Sequence, residues 1–262
     1  MSGLLAAGLI AAVTSAGLFG IAAVLQAWAV RGLGEKTDSL GWLVINMWRQ
    51  PTLMVVVAAY IAGFFLHALA IWWLPLYLAQ AAISLSLPIT AAVAARRLDE
   101  PVGAVGWTAV AGIIAGIGFL AAGSGFAGET RHSELFTLAL WLGAILLTFA
   151  GMTGWVDTTA GLGALAGFGY AGSAIAVRGV ADLSSTSVLS ALAVPVYGSV
   201  AFWLYSMAMD RGDVATASGL VIVGQTLVPA VVGLTVLGDT VASGREWAVA
   251  VGLVLAAGSA VA

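Results

Sequence analysis

Residues 76–107, LYLAQAAISLSLPITAAVAARRLDEPVGAVGW, contain the pattern from which the fold of this chain can be predicted. An apolar block with Pro88 near its centre ends in an acidic turn, and a second, Gly-rich apolar block follows. Residues 213–247, DVATASGLVIVGQTLVPAVVGLTVLGDTVASGREW, repeat this order with Pro229 at the matching place. Such blocks have roughly the 20-residue length with which a helix crosses about 30 Å of hydrocarbon. The two stretches therefore predict pairs of membrane-spanning helices joined by short polar turns.

The composition extends this prediction to the whole chain. Of the 262 residues, 61% are hydrophobic and only 8% are charged, whereas a soluble domain carries about 25% charged residues. Lipid offers no hydrogen bonds to an open backbone, so the spans must be helices or a closed barrel. Barrel strands would show alternating segments of about ten residues, but these blocks are continuous. We therefore predict an all-α polytopic membrane protein.

About nine transmembrane helices are expected from the apolar blocks. Most connections are short, which makes neighbouring helices antiparallel. Residues 39–50, with Trp42 and Trp48, predict an interfacial helix, because Trp favours the headgroup level. The predicted spans are residues 4–30, 52–72, 76–95, 102–122, 135–155, 158–177, 187–209, 214–237 and 243–262.

Lysine and arginine are distributed unequally between the two predicted faces. One face carries Arg31, Lys36, Arg49, Arg96, Arg97 and Arg211, and the other carries Arg131, Arg178 and Arg245. Because cytoplasmic loops are enriched in basic residues, we expect the N-terminus outside and the C-terminus in the cytoplasm. The preference for Arg over Lys, with abundant Ala, Gly and Val, suggests a GC-rich bacterium, and hence its cytoplasmic membrane. The last block ends without a charged or aromatic anchor, so we expect that the natural chain continues or has lost a tail.

The chain also resembles itself. At one common offset, features of the fourth predicted span fall on features of the ninth, in the same order. Gly- and Ala-rich helices resemble one another in any case, but ordered matches are rare by chance. The matched pairs are Asp99 and Asp239, Trp107 and Trp247, Gly112 and Gly252, Gly118 and Gly258, Pro88 and Pro229 with a one-residue slip, and the tripeptides Val-Arg-Gly at 30–32 and 177–179.

This repeat pairs spans one to four with spans six to nine and leaves the fifth as a linker. The single extra crossing gives the two halves opposite orientations, which is the inverted repeat of many secondary transporters. Two inverted halves can open a central site to either side by equivalent motions, and this is the reason to expect transport. The units are a first membrane repeat at 1–122, a loop and linker span at 123–157, and a second membrane repeat at 158–262.

At the two quoted stretches the chain resembles the EamA-like group of the drug/metabolite transporter superfamily. Each stretch is similar to that family's small-residue helix with a central proline, followed by an acidic turn and a Gly-rich helix. EamA-like members usually have ten spans, and the nine-span layout is more similar to the NIPA-type branch of proposed magnesium transporters. The resemblance implies the fold and a transport activity, for substrates that in this superfamily include amino acids, metabolites, sugars and drugs.

Several chemistries are not expected. The chain has no cysteine and two histidines, and its acidic residues fall at span ends or in loops, so neither a hydrolase triad nor a metal site can be assembled. Lys36, the only lysine, lies in LGEKTD, which lacks the spacing of a phosphate-binding loop. A net charge of −3 without a basic run argues against nucleic acid as a partner. We expect no enzyme activity, no cofactor and no ATP-driven step.

The candidate site consists of polar residues inside the spans. His67 and Tyr60 share a helical face, and ionisable groups within lipid often mark function; the alternative is a neutral His67 bonded to a neighbouring carbonyl or hydroxyl. Two polar stripes each end at a proline: Tyr77, Gln80 and Ser84 precede Pro88, and Ser218 and Gln225 precede Pro229. We expect the stripes to face each other across a central cavity at the membrane midplane, with His67 nearby; the alternative is that they bond helices together for about 0.6 kcal/mol each. The predicted solute-binding residues are His67, Tyr60, Tyr77, Gln80, Ser84, Ser218 and Gln225.

The remaining motifs predict packing and caps. The GxxxG pairs Gly112–Gly116 and Gly163–Gly167 indicate close helix contact, within the chain or between the protomers of a homodimer. Asp213, Asp239 and Asp157 are expected to cap helices or turns. Interface anchors are expected at Trp72, Trp73, Trp107 and Trp247.

Three functions remain open at this point. The first is secondary transport or export of a small polar or amphipathic solute, which predicts a polar central cavity of roughly a few hundred Å³. The second is a NIPA-like Mg²⁺ carrier, which predicts converging oxygen ligands. The third is a non-transporting membrane subunit or a lipid-handling partner, which predicts a packed apolar centre.

The inverted repeat makes a topological prediction. Asp99 and Asp239 occupy equivalent turns and should lie on opposite sides of the membrane, with Asp99 cytoplasmic. Because the chain has no cysteine, a single cysteine at either position can be labelled with an impermeant maleimide in intact cells. Labelling of both positions from the same side would contradict the inverted repeat.

Overall fold

The computed structural model describes residues 2–32, 39, 41, 45, 50–98, 103–129 and 133–259. These residues form ten helices and no strand. The helices are α1 (Ser2–Arg31), α2 (Pro51–Trp73), α3 (Leu76–Ile83), α4 (Ser86–Arg97), α5 (Ala104–Ala122), α6 (Glu134–Met152), α7 (Thr159–Val177), α8 (Ser185–Arg211), α9 (Val214–Thr235) and α10 (Glu246–Ser259).

The chain is an all-helical multi-pass membrane protein, as its composition predicts. In the described part of the chain, eight spans are long and apolar enough to cross a membrane, with α3 and α4 together forming one of them, Leu76–Arg97. The predicted ninth span is represented by α10, a shorter apolar helix of 14 residues. Asp99 and most of the predicted interfacial helix at 39–50 lie outside the described residues.

Helix caps explain several boundaries. The side chain of Asp213 accepts a hydrogen bond from the Thr216 N–H at 2.7 Å and caps α9, as predicted. The prediction for Asp157 was wrong, because Thr158 directly precedes α7 and caps it with its own hydroxyl. Asp157 instead forms an ion pair with Arg211.

The third span is broken at the depth where the sequence places a proline. Ser84 and Leu85 separate α3 from α4, and their N–H groups bond to the carbonyls three residues earlier. Pro88 has no N–H to donate to the carbonyl of Ser84, and its ring would collide with that carbonyl in a regular helix. Pro229, the matching proline, lies inside the continuous α9, so only one of the two predicted interruptions occurs.

Glycines let the helices approach closely. A Cβ at Gly116 on α5 would lie 2.7 Å from the backbone nitrogen of Ala256 on α10, and one at Gly167 on α7 would lie 2.7 Å from the Val221 carbonyl oxygen on α9. Neither neighbour is a flexible side chain that could move aside. Both predicted GxxxG pairs therefore pack helices within the chain.

The antiparallel helices give the bundle two ends, which we name after two arginines. The Arg178 end holds the α2–α3, α5–α6, α7–α8 and α9–α10 connections. The Arg211 end holds the α6–α7 and α8–α9 connections and the last turn of α1. The four tryptophans predicted as anchors (Trp72, Trp73, Trp107 and Trp247) are exposed near the ends of their helices, as a role at the membrane interface requires.

The glycine contacts can be tested within one helix. Gly116→Val should lower the free energy of unfolding by about 1–3 kcal/mol, the usual effect of overpacking, because its side chain would meet the α10 backbone. Gly118→Val is the matched control, since a Cβ there would meet no atom within 4 Å. Melting curves of the purified variants in detergent measure the difference, and equal melting temperatures would contradict the contact.

Candidate functional site

A cavity lies between the two predicted halves of the bundle. Its volume is about 60 Å³, enough for a few water molecules and smaller than the few hundred Å³ expected of a solute site. Aromatic rings account for the small volume, since four of them line it. The lining residues are Phe19, Ala23, Tyr60, Ile83, Ser86, Thr90, Tyr170, Tyr205, Ser218, Val221, Ile222 and Gln225.

The lining is uncharged and amphipathic. Rings and aliphatic side chains form most of it, and hydroxyls and one amide supply its polar atoms. A lining of this kind, mostly apolar with a few polar groups, is typical of small-molecule sites. No lining residue carries a carboxylate, an ammonium, a guanidinium or an imidazole.

Tyrosines supply the most prominent polar groups of the cavity. The hydroxyls of Tyr205 and Ser218 lie 2.5 Å apart. The Tyr60 hydroxyl donates to the Gln26 side-chain oxygen at 2.9 Å. The Tyr170 hydroxyl is buried and has no hydrogen-bond partner among the described residues, and its ring meets that of Tyr205 edge to face at 6.4 Å.

Three of the seven predicted site residues line this cavity. Tyr60 comes from α2, and Ser218 and Gln225 come from α9. Tyr60 therefore belongs to the first predicted half, and the other two belong to the second. The structure brings these side chains together from positions far apart in the sequence.

The other predicted residues do not line the cavity. His67 and Gln80 are buried and paired, with their Nε2 atoms 3.0 Å apart. His67 is one layer behind the cavity, because its ring meets the edge of the lining residue Phe19 at 6.3 Å. Ser84 lies 3.5 Å from the Thr226 hydroxyl, in a buried contact between the two halves.

Tyr77 lies at the Arg178 end, where two loops meet. Its hydroxyl donates to the carbonyl of Thr240 at 3.1 Å and accepts from the N–H of Gly125 at 3.2 Å. The predicted arrangement, with Tyr77, Gln80 and Ser84 facing Ser218 and Gln225 across one cavity, is therefore not the observed one. The break after α3 explains the difference, because it separates the stripe on α3 from the cavity-lining residues of α4.

A buried ion pair lies at the Arg178 end. The Arg178 guanidinium, at the C-terminus of α7, donates to a carboxylate oxygen of Asp239 at 2.6 Å. The same carboxylate accepts from the N–H of Leu76 at 2.5 Å and from the N–H of Gly128 at 2.7 Å. A second guanidinium nitrogen donates to the Gly128 carbonyl at 2.7 Å. We call Arg178, Asp239, Leu76 and Gly128 the Arg178 cluster.

The Arg178 cluster joins four segments that are distant in sequence. Leu76 is the first residue of α3, where backbone N–H groups lack partners within the helix, so Asp239 caps a helix of the other half. The side chains of Arg178 and Asp239 are only 2% and 0% exposed. Burial lowers the pKa of Arg178, and the neighbouring Asp239 carboxylate opposes that shift, so the guanidinium stays charged.

Sequence reasoning missed the Arg178 cluster. It treated Asp239 as a cap or turn residue, and it used Arg178 to count charges and to match the repeat, without pairing the two. The available signal was the repeat itself, which matches Arg31 with Arg178 and Asp99 with Asp239. An arginine and an aspartate thus recur at matching span ends of both halves. This recurrence indicates that Arg178 and Asp239 belong to one structural element.

At the Arg211 end, the contacts differ from those of the Arg178 cluster. Arg31 donates to the carbonyls of Met209 and Gly212, and Arg211 forms its ion pair with Asp157, whose side chain is 62% exposed. Tyr205 and Ser218 lie within about two turns of this end, so the cavity extends from the middle of the bundle towards it. The two ends are therefore unequal, with the buried charges on one side and the cavity on the other.

The ion pair predicts strong coupling between its partners. Asp239→Leu should destabilise the protein by about 3–5 kcal/mol, because it leaves a buried charge without its counterion. Adding Arg178→Met removes that charge, so the double variant should unfold at a higher temperature than Asp239→Leu alone. Additive effects of the two substitutions in thermal unfolding would contradict the pair.

Comparisons with known proteins add no relative to this geometry. No protein-family model, no curated protein and no solved structure matches the chain. Its function is therefore argued from the cavity, the Arg178 cluster and the sequence repeat.

Proposed function

We propose that the chain is a secondary transporter that moves a small, uncharged, amphipathic solute by alternating access. The observation that carries this proposal is the central cavity, which both predicted halves line and which extends from the middle of the bundle towards the Arg211 end. A non-transporting subunit would need only a packed apolar centre. A cavity with tyrosine hydroxyls and an amide within an apolar bundle is suited to a polar path instead.

The pattern of helix contacts supports two equivalent halves. In the first half α1 packs on α2 and on the α3–α4 span, and in the second half α7 packs on α8 and on α9 in the same way. Across the halves, α5 packs on α10, and α3 packs on α9. If each helix is replaced by its counterpart in the other half, the same set of helix pairs results, as an inverted repeat would require.

The chemistry of the lining favours an uncharged solute. Moving a charge into a low-dielectric cavity is unfavourable unless an opposite charge or a full set of ligands is present, and the lining supplies no charged side chain. Mg²⁺ demands octahedral oxygen ligands and usually one or two carboxylates. This makes the Mg²⁺ carrier the weaker of the two transport hypotheses.

Tyr170 is the residue best placed to select the solute. Seven buried side-chain atoms of the described residues lack a hydrogen-bond partner, and only the Tyr170 hydroxyl among them belongs to a cavity-lining residue. Leaving such a group unpaired is unfavourable by about 1–3 kcal/mol. A solute that offers a hydrogen-bonding group beside the Tyr170 hydroxyl would remove this penalty. The neighbouring rings of Phe19, Tyr60 and Tyr205 would cover its apolar part.

The small volume of the cavity is what we expect of a conformation between the two open conformations of an alternating-access cycle. A solute larger than a few waters enters only when the aromatic rings and the helix ends move apart, as alternating access requires. The break at Ser84 and Leu85 offers a hinge, because the helix is already interrupted there. With the cytoplasmic side placed by the distribution of basic residues, this cavity extends towards the cytoplasm.

Transport can be measured in proteoliposomes without ATP, using probes of different charge. Uptake of phenyl glucoside, an uncharged amphipathic probe, should exceed that of choline, benzoate and Mg²⁺. Gln225→Leu should reduce this uptake about tenfold, the effect of losing about 1.4 kcal/mol of binding free energy. Its apolar side chain is of similar size, so folding should be preserved.

Gln80→Leu is the control, because Gln80 is a buried glutamine of the first half that does not line the cavity. It should lower thermal stability through the loss of the His67 contact and leave the uptake of folded protein nearly unchanged. Entry of Mg²⁺ alone would favour the ion carrier. Entry of none of the probes, together with an inaccessible cavity, would favour the non-transporting subunit.

A further inference from the structure

We propose that the Arg178 cluster is the gate at one end of the transport path, and that the structure shows this gate closed. The inference rests on the proposed function and adds the element that must open and close. It assigns Arg178 and Asp239 to a conformational role, whereas the cavity residues bind the solute.

The position of the Arg178 cluster is that of a gate. Its contacts run from α7 and the α9–α10 turn of the second half to the start of α3 in the first half and to the loop after α5. No path from the cavity to the Arg178 end can widen between these elements while the contacts are made. Separation of the halves at this end must therefore break them.

A second layer of hydrogen bonds covers the ion pair. The backbone of Phe126 exchanges bonds with Thr240, since its carbonyl accepts from the Thr240 N–H at 3.0 Å and its N–H donates to the Thr240 hydroxyl at 2.7 Å. Ser124 and Val241 form an antiparallel bridge beside them. Residues 123–129 of the loop after α5 thus lie over the α9–α10 turn, and we call them the plug.

The fit of this plug requires glycine. A Cβ at Gly128 would collide with the carbonyl oxygen of Leu237, and one at Gly233 would lie 2.6 Å from a carboxylate oxygen of Asp239. Gly238, in the turn itself, has a φ of 75°, a conformation that other residues rarely adopt. The loop can reach the carboxylate only because these positions carry no side chain.

An ion pair suits a gate better than an apolar seal. Burying two charges is unfavourable unless both are paired and hydrogen-bonded, and a well-packed apolar pair is often at least as stable. When the Arg178 end opens, water solvates both charges, so breaking the ion pair costs little free energy. A closed state held by this pair is stable while water is excluded and opens readily once water reaches the charges. Alternating access requires a gate with this property.

The Arg211 end lacks the burial that the Arg178 cluster has. Its ion pair is less buried, with the Asp157 side chain 62% and the Arg211 side chain 14% exposed, and the cavity approaches that end. The repeat matches Arg178 with Arg31 in sequence, and Arg31 lies at the Arg211 end.

Accessibility of a cysteine in the cavity tests the gate without a known solute. The chain has no native cysteine, so Ile222→Cys places one reactive group in the cavity lining. Its reaction with a small charged methanethiosulfonate is measured from each side in sealed vesicles of both orientations. Leu183→Cys and Trp155→Cys, at side chains 94% and 87% exposed, mark the Arg178 and Arg211 ends.

In the otherwise unchanged chain, Ile222→Cys should react from the Arg211 end alone. Asp239→Asn and Arg178→Gln should raise the reaction rate from the Arg178 end about tenfold or more, because each leaves the remaining charge better solvated in the open state. Gly128→Ala should do the same without changing any charge, since it unseats the loop. Asp157→Asn, which removes the exposed ion pair, should leave that rate unchanged.

The outcomes separate the gate from the proposed function. Reaction from neither end in the unchanged background means that no aqueous path reaches the cavity, which overturns both. Reaction from the Arg211 end that stays confined to it in all three gate variants, with the protein folded by gel filtration, overturns the gate and leaves transport standing. If Asp157→Asn raised the reaction rate from the Arg178 end equally, the gate would also be overturned, because the effect would not be specific to the buried pair.

Discussion

Hydrocarbon offers no hydrogen-bond partner, and the rest of this structure follows from that constraint. Backbone groups satisfy each other in helices, and most polar side chains inside the bundle are paired, as His67 is with Gln80 and Tyr60 with Gln26. Among the described residues, the buried charges of Arg178 and Asp239 are held by each other and by backbone groups, although Arg178 Nε has no partner there. Several other buried polar atoms also lack a partner among the described residues, and the Tyr170 hydroxyl is the one that belongs to a cavity-lining residue.

Charge and cavity are separated along the bundle. The lining of the cavity is neutral, so it can exchange water for an amphipathic solute without moving a charge out of water. The buried Arg178–Asp239 pair lies at the Arg178 end. In the proposed function this division gives binding to the tyrosines and closure to the ion pair, so the proposed transporter needs no carboxylate at its centre.

Close backbone contact joins helices both within and between the two predicted halves. Gly116 brings α5 against α10, across the halves, and Gly167 brings α7 against α9, within the second half. The same property recurs at Gly128, where the loop after α5 reaches the α9–α10 turn. Contacts of this kind are stiff, because backbone cannot move aside as a side chain can.

The membrane-spanning helices and caps such as Asp213 could be predicted from the sequence, because helix length, apolar composition and local hydrogen bonding depend on neighbouring residues. The GxxxG spacing marked the glycines of close helix contacts, and polar residues within spans marked Tyr60, Ser218 and Gln225. The pairing of Gln80 with His67 behind the cavity and the loop contact of Tyr77 at one end depend on the tertiary structure. The break after Ile83 and the packing of α3 against α9 set these positions, and neither can be read from periodicity. The pairing of Arg178 with Asp239 likewise depends on which span ends meet in space, which sequence spacing does not specify.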